Sequence, residues 1–197
     1  MIKVLAAIVA PPHLSVSGAG RAAEQLSAAL AEHCEITIAS MMGAQTCEVE
    51  APGLRRVPVK VGLPPVLPWS RVPNRYRTLF YGSDIPAMVR SGQFDLVHLH
   101  NPMPALEMAR IARACREVGV PYVVSTHGFN EIANGNRIYG FGPLRRLAWQ
   151  MLVTRPVHQA VRGAAAILGL SPADREIVEA MGFSRGFAMV PNGVPIP

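Results

Sequence analysis

Runs rich in Val, Ile and Leu, each closed by a turn-forming or polar residue, recur along the chain at residues 3–9, 35–40, 56–61, 95–99, 122–126, 166–170 and 187–190. Side chains alternate across a strand, so a run that stays apolar at successive positions is accommodated where both faces of a sheet are covered. Between several of these runs the spacing turns helical. Ala22, Leu26, Ala29, Leu30 and His33 recur at i, i+4, i+7, i+8 and i+11 and predict a helix over 21–33 with that face inward. Residues 105–118 predict a second helix, with Ala105, Met108, Ala109, Ala112 and Cys115 inward and Glu107, Arg110, Arg113 and Arg116 in water. Ser171-Pro172-Ala173-Asp174 reads as an N-cap, a first-turn proline and an acidic partner three residues on, with Gly182 as the stop. A longer helix is predicted over 143–162. Strands alternating with helices belong to the α/β class, here an open parallel sheet of about seven strands with helices on both faces.

The 197 residues suit one domain, 50% hydrophobic and 16% charged, with enough core to fold without staples. Cys34, Cys47 and Cys115 include no C-x-x-C pair, which argues against a disulfide framework or a structural zinc knot and for a reducing, cytoplasmic setting. The first apolar run stops at Pro11-Pro12 with only Lys3 before it, and reads as a buried strand rather than a secretion signal. No apolar run is long enough to span a membrane. Nineteen basic residues, 17 of them Arg, against 13 acidic ones give a net charge of +6, which favours anionic partners: phosphorylated sugars, nucleotides, acidic lipid headgroups or nucleic acid.

Residues 51–81 carry six prolines, and Arg71, Arg75 and Arg77 lie among Trp69, Tyr76, Phe80 and Tyr81. Interleaved Arg and aromatics can stack on nucleic acid. A packed surface loop with one strand and solvated arginines is the preferred reading, and no nucleic-acid partner is expected. The helix over 143–162 carries Arg145, Arg146, Arg155 and Arg162 beside Leu147, Trp149, Met151 and Leu152. It reads either as a surface helix packed on the sheet or as one lying on an anionic membrane, so peripheral contact with the inner membrane face is an added expectation.

In an open parallel sheet, ligands bind outside the carboxyl ends of the strands. After the first strand comes Pro11-Pro12-His13-Leu14-Ser15-Val16-Ser17-Gly18-Ala19-Gly20, opening into a helix whose first N–H groups carry about half a positive charge. A phosphate can dock there, and an ordinary strand-to-helix turn fits as well. Neither G-x-G-x-x-G nor G-x-x-x-x-G-K-[ST] is present. After the fourth strand comes His98-Leu99-His100-Asn101-Pro102, with the two histidines on one face. His98 reads as a structural histidine and His100 as a ligand contact; with His127 they also allow a metal reading, though no H-x-H-x-D carboxylate follows. The fifth strand ends in Ser125-Thr126-His127-Gly128, which places His127 to hydrogen-bond a ligand, a capping histidine being the alternative. Residues 129–142, with Gly135, Gly140, Gly142, Asn130, Asn134 and Asn136, are expected to form a mobile lid or acceptor loop.

The order S-G-A-G-R-A-A-E-Q-L-S-A-A-L, F-D-L-V-H-L-H-N-P, V-P-Y-V-V-S-T-H-G, A-A-A-I-L-G-L-S-P-A-D-R-E and M-V-P-N-G-V resembles the amino-terminal half of glycosyltransferase family 4 over essentially the whole chain. The resemblance implies a Rossmann-like domain, one half of a GT-B fold, in a retaining enzyme that moves a sugar from a nucleotide donor. It places the donor-diphosphate contacts on Ser17, Gly18 and Ala19, where Ser17 replaces the first glycine of the family's pair. It places His127 beside the reacting carbon as the catalytic histidine. Arg21, His100, Asn101, Gly128 and Asn130 fall on the acceptor side. Asn192-Gly193-Val194 falls on the turn that precedes the crossing to a second domain, with Pro195 in place of the usual Asp.

The nucleotide-sugar is then a co-substrate, with no separate cofactor and no metal. A glycan, glycolipid or small polyol is the acceptor, and the nucleotide-binding second domain is expected outside these residues, in cis or in trans. The isolated chain is expected to be inactive. A stand-alone binding module paired with a separate donor-domain chain is the alternative, and a metal-dependent hydrolase built on the three histidines is a third.

Overall fold

The computed structural model describes residues 1–13, 18–42, 50–66, 68–101, 103–127 and 129–191. Its first strand, β1 (Lys3–Ile8), is buried at every position after Lys3, as the unbroken apolar run requires of a strand with neighbours on both edges and cover on both faces. The chain continues through α1 (Gly18–Leu30), β2 (Glu35–Ser40) and β3 (Leu54–Val57). There follow β4 (Val61–Gly62), a 3-10 turn at Trp69–Arg71, α2 (Asn74–Arg77), β5 (Gly82–Ser83) and α3 (Ile85–Arg90). Next come β6 (Leu96–His100), α4 (Ala105–Val118), β7 (Tyr122–Ser125), α5 (Phe129–Tyr139) and α6 (Pro143–Trp149). A π-helical stretch at Gln150–Thr154 leads into α7 (Arg155–Gly163), then β8 (Ala166–Gly169), α8 (Pro172–Ala180) and β9 (Gly186–Met189).

Seven strands form one parallel sheet in the order β3-β2-β1-β6-β7-β8-β9, while β4 and β5 make a separate antiparallel pair. From β1 the chain builds outward to β3, then returns to place β6 on the other side of β1. This reversal opens a crevice at the carboxyl ends of β1 and β6, the place where doubly wound sheets bind ligands. The parity of each strand assigns its faces. Val4, Ala6 and Ile8 of β1, with Ile36 and Ile38 of β2, pack with Ala23 of α1. Leu5 and Ala7, with Val97, Leu99, Val124 and Ile167, join Met108, Ile111, Cys115, Val157 and Val161 of α4 and α7 in the larger core. His98 and His100 therefore lie on the α1 face.

Several local expectations are corrected by packing. The helix predicted over 21–33 begins at Gly18, and its buried stripe is Gly20, Ala23, Glu24 and Ser27, whereas Ala29 and His33 are exposed. Small side chains let that helix lie close to the sheet, and Glu24 is covered by its ion pair with Arg56 of β3 at 3.3 Å. Glu107, predicted to be solvated, is fully buried on α4 and accepts hydrogen bonds from the Ser83 backbone N–H at 2.9 Å and Arg110 at 2.6 Å. The strand predicted over 56–61 divides into β3 and β4 around Pro58. The long helix over 143–162 is interrupted by the π stretch. Residues 129–139, read as a lid or loop, are helical. Gly135 serves that helix because Trp149 lies against it: a Cβ at Gly135 would sit 2.8 Å from the indole ring.

α7 is fixed to the sheet by a buried hydroxyl. Tyr122 donates to the Ala160 carbonyl at 2.6 Å, and a Cβ on Gly163 would collide with that same hydroxyl. Tyr122→Phe leaves the carbonyl without this partner and should lower the unfolding free energy by about 1–2 kcal/mol. Gly163→Ala should cost about 1–3 kcal/mol through overpacking. Urea titrations of both variants check this; wild-type midpoints would contradict it.

Candidate functional site

β6 and β7 end side by side, and their register brings three imidazoles into a row. His98 and His100, two residues apart on one strand face, have ring centroids 3.8 Å apart, and the His100 ring stacks towards His127 at 6.3 Å. Val9 donates its backbone N–H to the His100 carbonyl at 3.0 Å, so the row stands at the crevice between β1 and β6. The nitrogen Nε2 of His98 bonds Ser125 Oγ at 2.8 Å, which makes His98 the structural member of the row. His100 is completely buried, yet neither of its ring nitrogens has a hydrogen-bond partner among the described residues. A buried imidazole ordinarily finds a partner, so its polar edge awaits one.

Burial keeps the row neutral. Desolvation, and then the neighbouring His127, pull the His98 pKa down to about 4. His100 is held well below the ordinary imidazole value by burial and by its two histidine neighbours. His127 is also lowered by burial, while Asp174 pulls in the opposite direction. A neutral imidazole has one donor and one acceptor nitrogen, so His127 can hold a hydroxyl or donate to an oxygen that gains charge. Fixed positive charge for an anion must come from elsewhere.

Gly18 and Ala19 form the first turn of α1, and a Cβ at Gly18 would meet nothing within 4 Å among the described residues. Arg21, which completes that turn, is exposed. Asn101 follows β6 directly with φ 70°, the one non-glycine positive φ among the described residues, and donates from Nδ2 to the Met103 carbonyl at 3.3 Å. Left-handed backbone in a non-glycine residue is sustained by surrounding structure and is frequent at binding sites. Asn130 is exposed on the first turn of α5, where its side chain accepts from Asn134 at 2.7 Å. Ser17 and Gly128, together with 192–197 and hence Asn192-Gly193-Val194, lie outside the described residues. The structure thus brings together His98, His100, Asn101 and His127.

Two features escape the sequence reading. Asp174 was legible only as a helix-start residue. Its Oδ2 accepts from Thr126 Oγ1 at 3.0 Å, Leu170 N at 2.8 Å and Ser171 N at 3.0 Å, tying the α8 start to the residue before His127. The second is a cavity of about 500 Å³ between the β4–β5 pair and the first turns of α4, lined by Leu63, Phe80, Tyr81, Leu106, Lys60 and Arg110 among others. The Tyr81 ring also meets His13, just past β1, at 5.9 Å, which connects this cavity to the carboxyl edge. Among the described residues no group of three or more His, Cys, Asp or Glu is arranged to hold a metal ion.

The sequence model of Glycosyltransferase Family 4 matches residues 16–196. The chain belongs to glycosyltransferase family 4. No curated protein matches its sequence. Among solved structures it is similar to Anabaena Alr3699/HepE, crystallised in complex with UDP, at 13% identity and a TM-score of 0.57. That alignment covers 98% of this chain and 44% of the Anabaena protein, so the family 4 chain spans less than half of that protein's length. A short-chain dehydrogenase/reductase from Veillonella parvula DSM 2008 in complex with NADP aligns at 14% identity and a TM-score of 0.46, over 87% of this chain and 70% of that one. The family assignment agrees with the Rossmann-like architecture.

The neutral row has a measurable consequence for the family 4 domain. Below pH 6.5 the unfolded chain takes up protons that folded His98 refuses until about pH 4, so stability should fall as pH drops through that window. Urea midpoints from pH 7.5 to 4.5 check this, and His98→Gln should flatten the slope. A flat wild-type profile would mean the row is already protonated or exposed. Asp174→Asn removes the charge that supports imidazolium at His127, so the His127 pKa should move further down in a proton NMR titration.

Proposed function

We propose that the protein containing this domain transfers a sugar from a nucleoside-diphosphate donor to a carbohydrate or glycolipid acceptor, with retention at the anomeric carbon. The observation that carries this reading is the neutral His127 at the carboxyl edge, next to the unpartnered His100, in a chain of glycosyltransferase family 4. The UDP held by the Anabaena protein supports a nucleoside diphosphate as the donor class. The donor is a co-substrate, and the proposal needs no further cofactor.

In this reading the donor diphosphate lies at the start of α1, with Ser17, Gly18 and Ala19 offering backbone N–H groups. The bond from the anomeric carbon to the diphosphate oxygen breaks as the acceptor oxygen bonds to the same face of that carbon. The acceptor hydroxyl proton passes to the departing phosphate oxygen. His127 hydrogen-bonds the sugar or acceptor beside the reacting carbon and, with the helix dipole, stabilises charge as it develops. Arg21, His100, Asn101, Gly128 and Asn130 line the acceptor side. The cavity beside Tyr81 offers apolar wall at Leu63, Phe80 and Leu106 for an acceptor's aglycone, with Lys60, Asp84 and the Arg110–Glu107 pair as its charged groups. A second domain, in cis or in trans, supplies most nucleotide contacts, and the setting is cytoplasmic.

Release of nucleoside diphosphate by the protein with its second domain, measured over a panel of nucleotide-sugars and acceptors, tests the proposal. His127→Ala should lower kcat by about 100-fold or more. The 197-residue chain alone should release none. Transfer by the isolated chain would overturn the two-domain requirement, and an unaffected His127→Ala enzyme would remove His127 from the mechanism.

A further inference from the structure

Helix α6 and the π-helical stretch that continues it have two apolar stripes, and only one of them is used. Trp149 is half-buried and Val153 buried on the side that meets α5 and the core. Leu144, Leu147, Ala148 and Met151, at i, i+3, i+4 and i+7, form the opposite side and face water; Leu144 is 81% exposed, Leu147 56% and Met151 49%. Ile138 and Tyr139 at the end of α5 extend the same exposed stretch. Of the eleven large hydrophobic residues exposed among the described residues, five fall between 138 and 151, so this is a patch rather than the scatter expected of a surface.

Its charge is predominantly positive, the carboxylate at its margin being Glu131, which accepts from the Tyr139 hydroxyl. Residues 132–173 contain no Asp or Glu, while Arg137, Arg145, Arg146 and Arg155 lie in or beside the patch. Arg162, the remaining arginine of the stretch, is directed away, donating to the Met181 carbonyl at 2.8 Å. Beneath the patch Tyr139, Phe141 and Trp149 form an aromatic cluster with centroid separations of 5.3, 6.0 and 5.4 Å. The Trp149 indole N–H is buried without a partner among the described residues. None of the helices described is long and apolar enough to cross a membrane.

We propose that the face formed by Ile138, Tyr139, Leu144, Leu147 and Met151, ringed by Arg137, Arg145, Arg146 and Arg155, docks on an anionic phospholipid surface. A second copy of this chain would bring the same four arginines against themselves, since a two-fold contact repeats one patch. An anionic bilayer instead complements them and accepts the leucines and methionine at the headgroup boundary. The surface follows α5 out of β7, whose end carries His127, so docking would hold the carboxyl edge near the bilayer. The proposal stands on exposure and charge and does not require the glycosyltransfer reading.

Flotation of the full chain with vesicles tests it. With phosphatidylcholine vesicles containing about 30 mol% phosphatidylglycerol the chain should float at least about tenfold more than with phosphatidylcholine alone, and about 0.5 M salt should remove most of the difference. Leu144→Glu/Leu147→Glu/Met151→Glu alters only exposed positions and should keep the wild-type circular dichroism and urea midpoint while losing flotation. Arg145→Glu/Arg146→Glu should lose the preference for anionic lipid. Absent flotation, or flotation indifferent to these changes, would overturn the proposal. So would a concentration-dependent dimer in light scattering that the triple variant abolishes, or vesicle binding that disappears once the second domain is present.

Discussion

The parallel pairing of β1 with β6 is the contact on which the rest of the architecture depends. It is formed only after the chain has built β2 and β3 on one side and returned to the other. That return creates the crevice at the carboxyl edge. It also fixes strand parity, setting Val97 and Leu99 into the larger core and His98 and His100 onto the α1 face. β7 then adds Ser125 opposite His100 in register and delivers His127 at the sheet's edge. A slip of one residue in this pairing would exchange core and histidine faces, so folding and site assembly are the same event.

Placing imidazoles in so dry a position sets what they can do. Neutral rings do not neutralise an anion. They are suited to directional hydrogen bonding with hydroxyls, and His98 is already committed to Ser125. Asp174, held in place by Thr126 and the α8 start, opposes the burial of the last ring by its charge.

How much of this was legible in the sequence follows from which forces were local. The central strands of the parallel sheet were readable because burial on both faces makes their composition apolar irrespective of period, whereas β3 and β9 at the edges are largely exposed; β2 and α4 have the predicted limits. The α8 start was readable because Ser171, Pro172 and Asp174 act within one turn. The buried face of α1 was not, since it is made of Gly20, Ala23, Glu24 and Ser27, chosen for closeness to the sheet rather than for hydrophobicity. Glu107 looked solvent-facing because its partner Ser83 is distant in sequence. Residues 129–139 looked like a loop because Gly135 and its asparagines have poor helix propensity, which contact with Trp149 overrides. At the site, parity alone placed His98 and His100 together, and a strand end placed His127. The link from Asp174 to Thr126 needed the fold.

A crystal structure of the protein with a nucleoside-diphosphate sugar, including the second domain proposed for it, tests the proposed transfer most directly. The diphosphate should lie at the amino end of α1 and the sugar within hydrogen-bond reach of His127, with His100 finding its partner in the ligand or in the residues that close over it. A nucleotide-sugar bound away from the carboxyl ends of β1, β6 and β7, with His127 untouched, would contradict it.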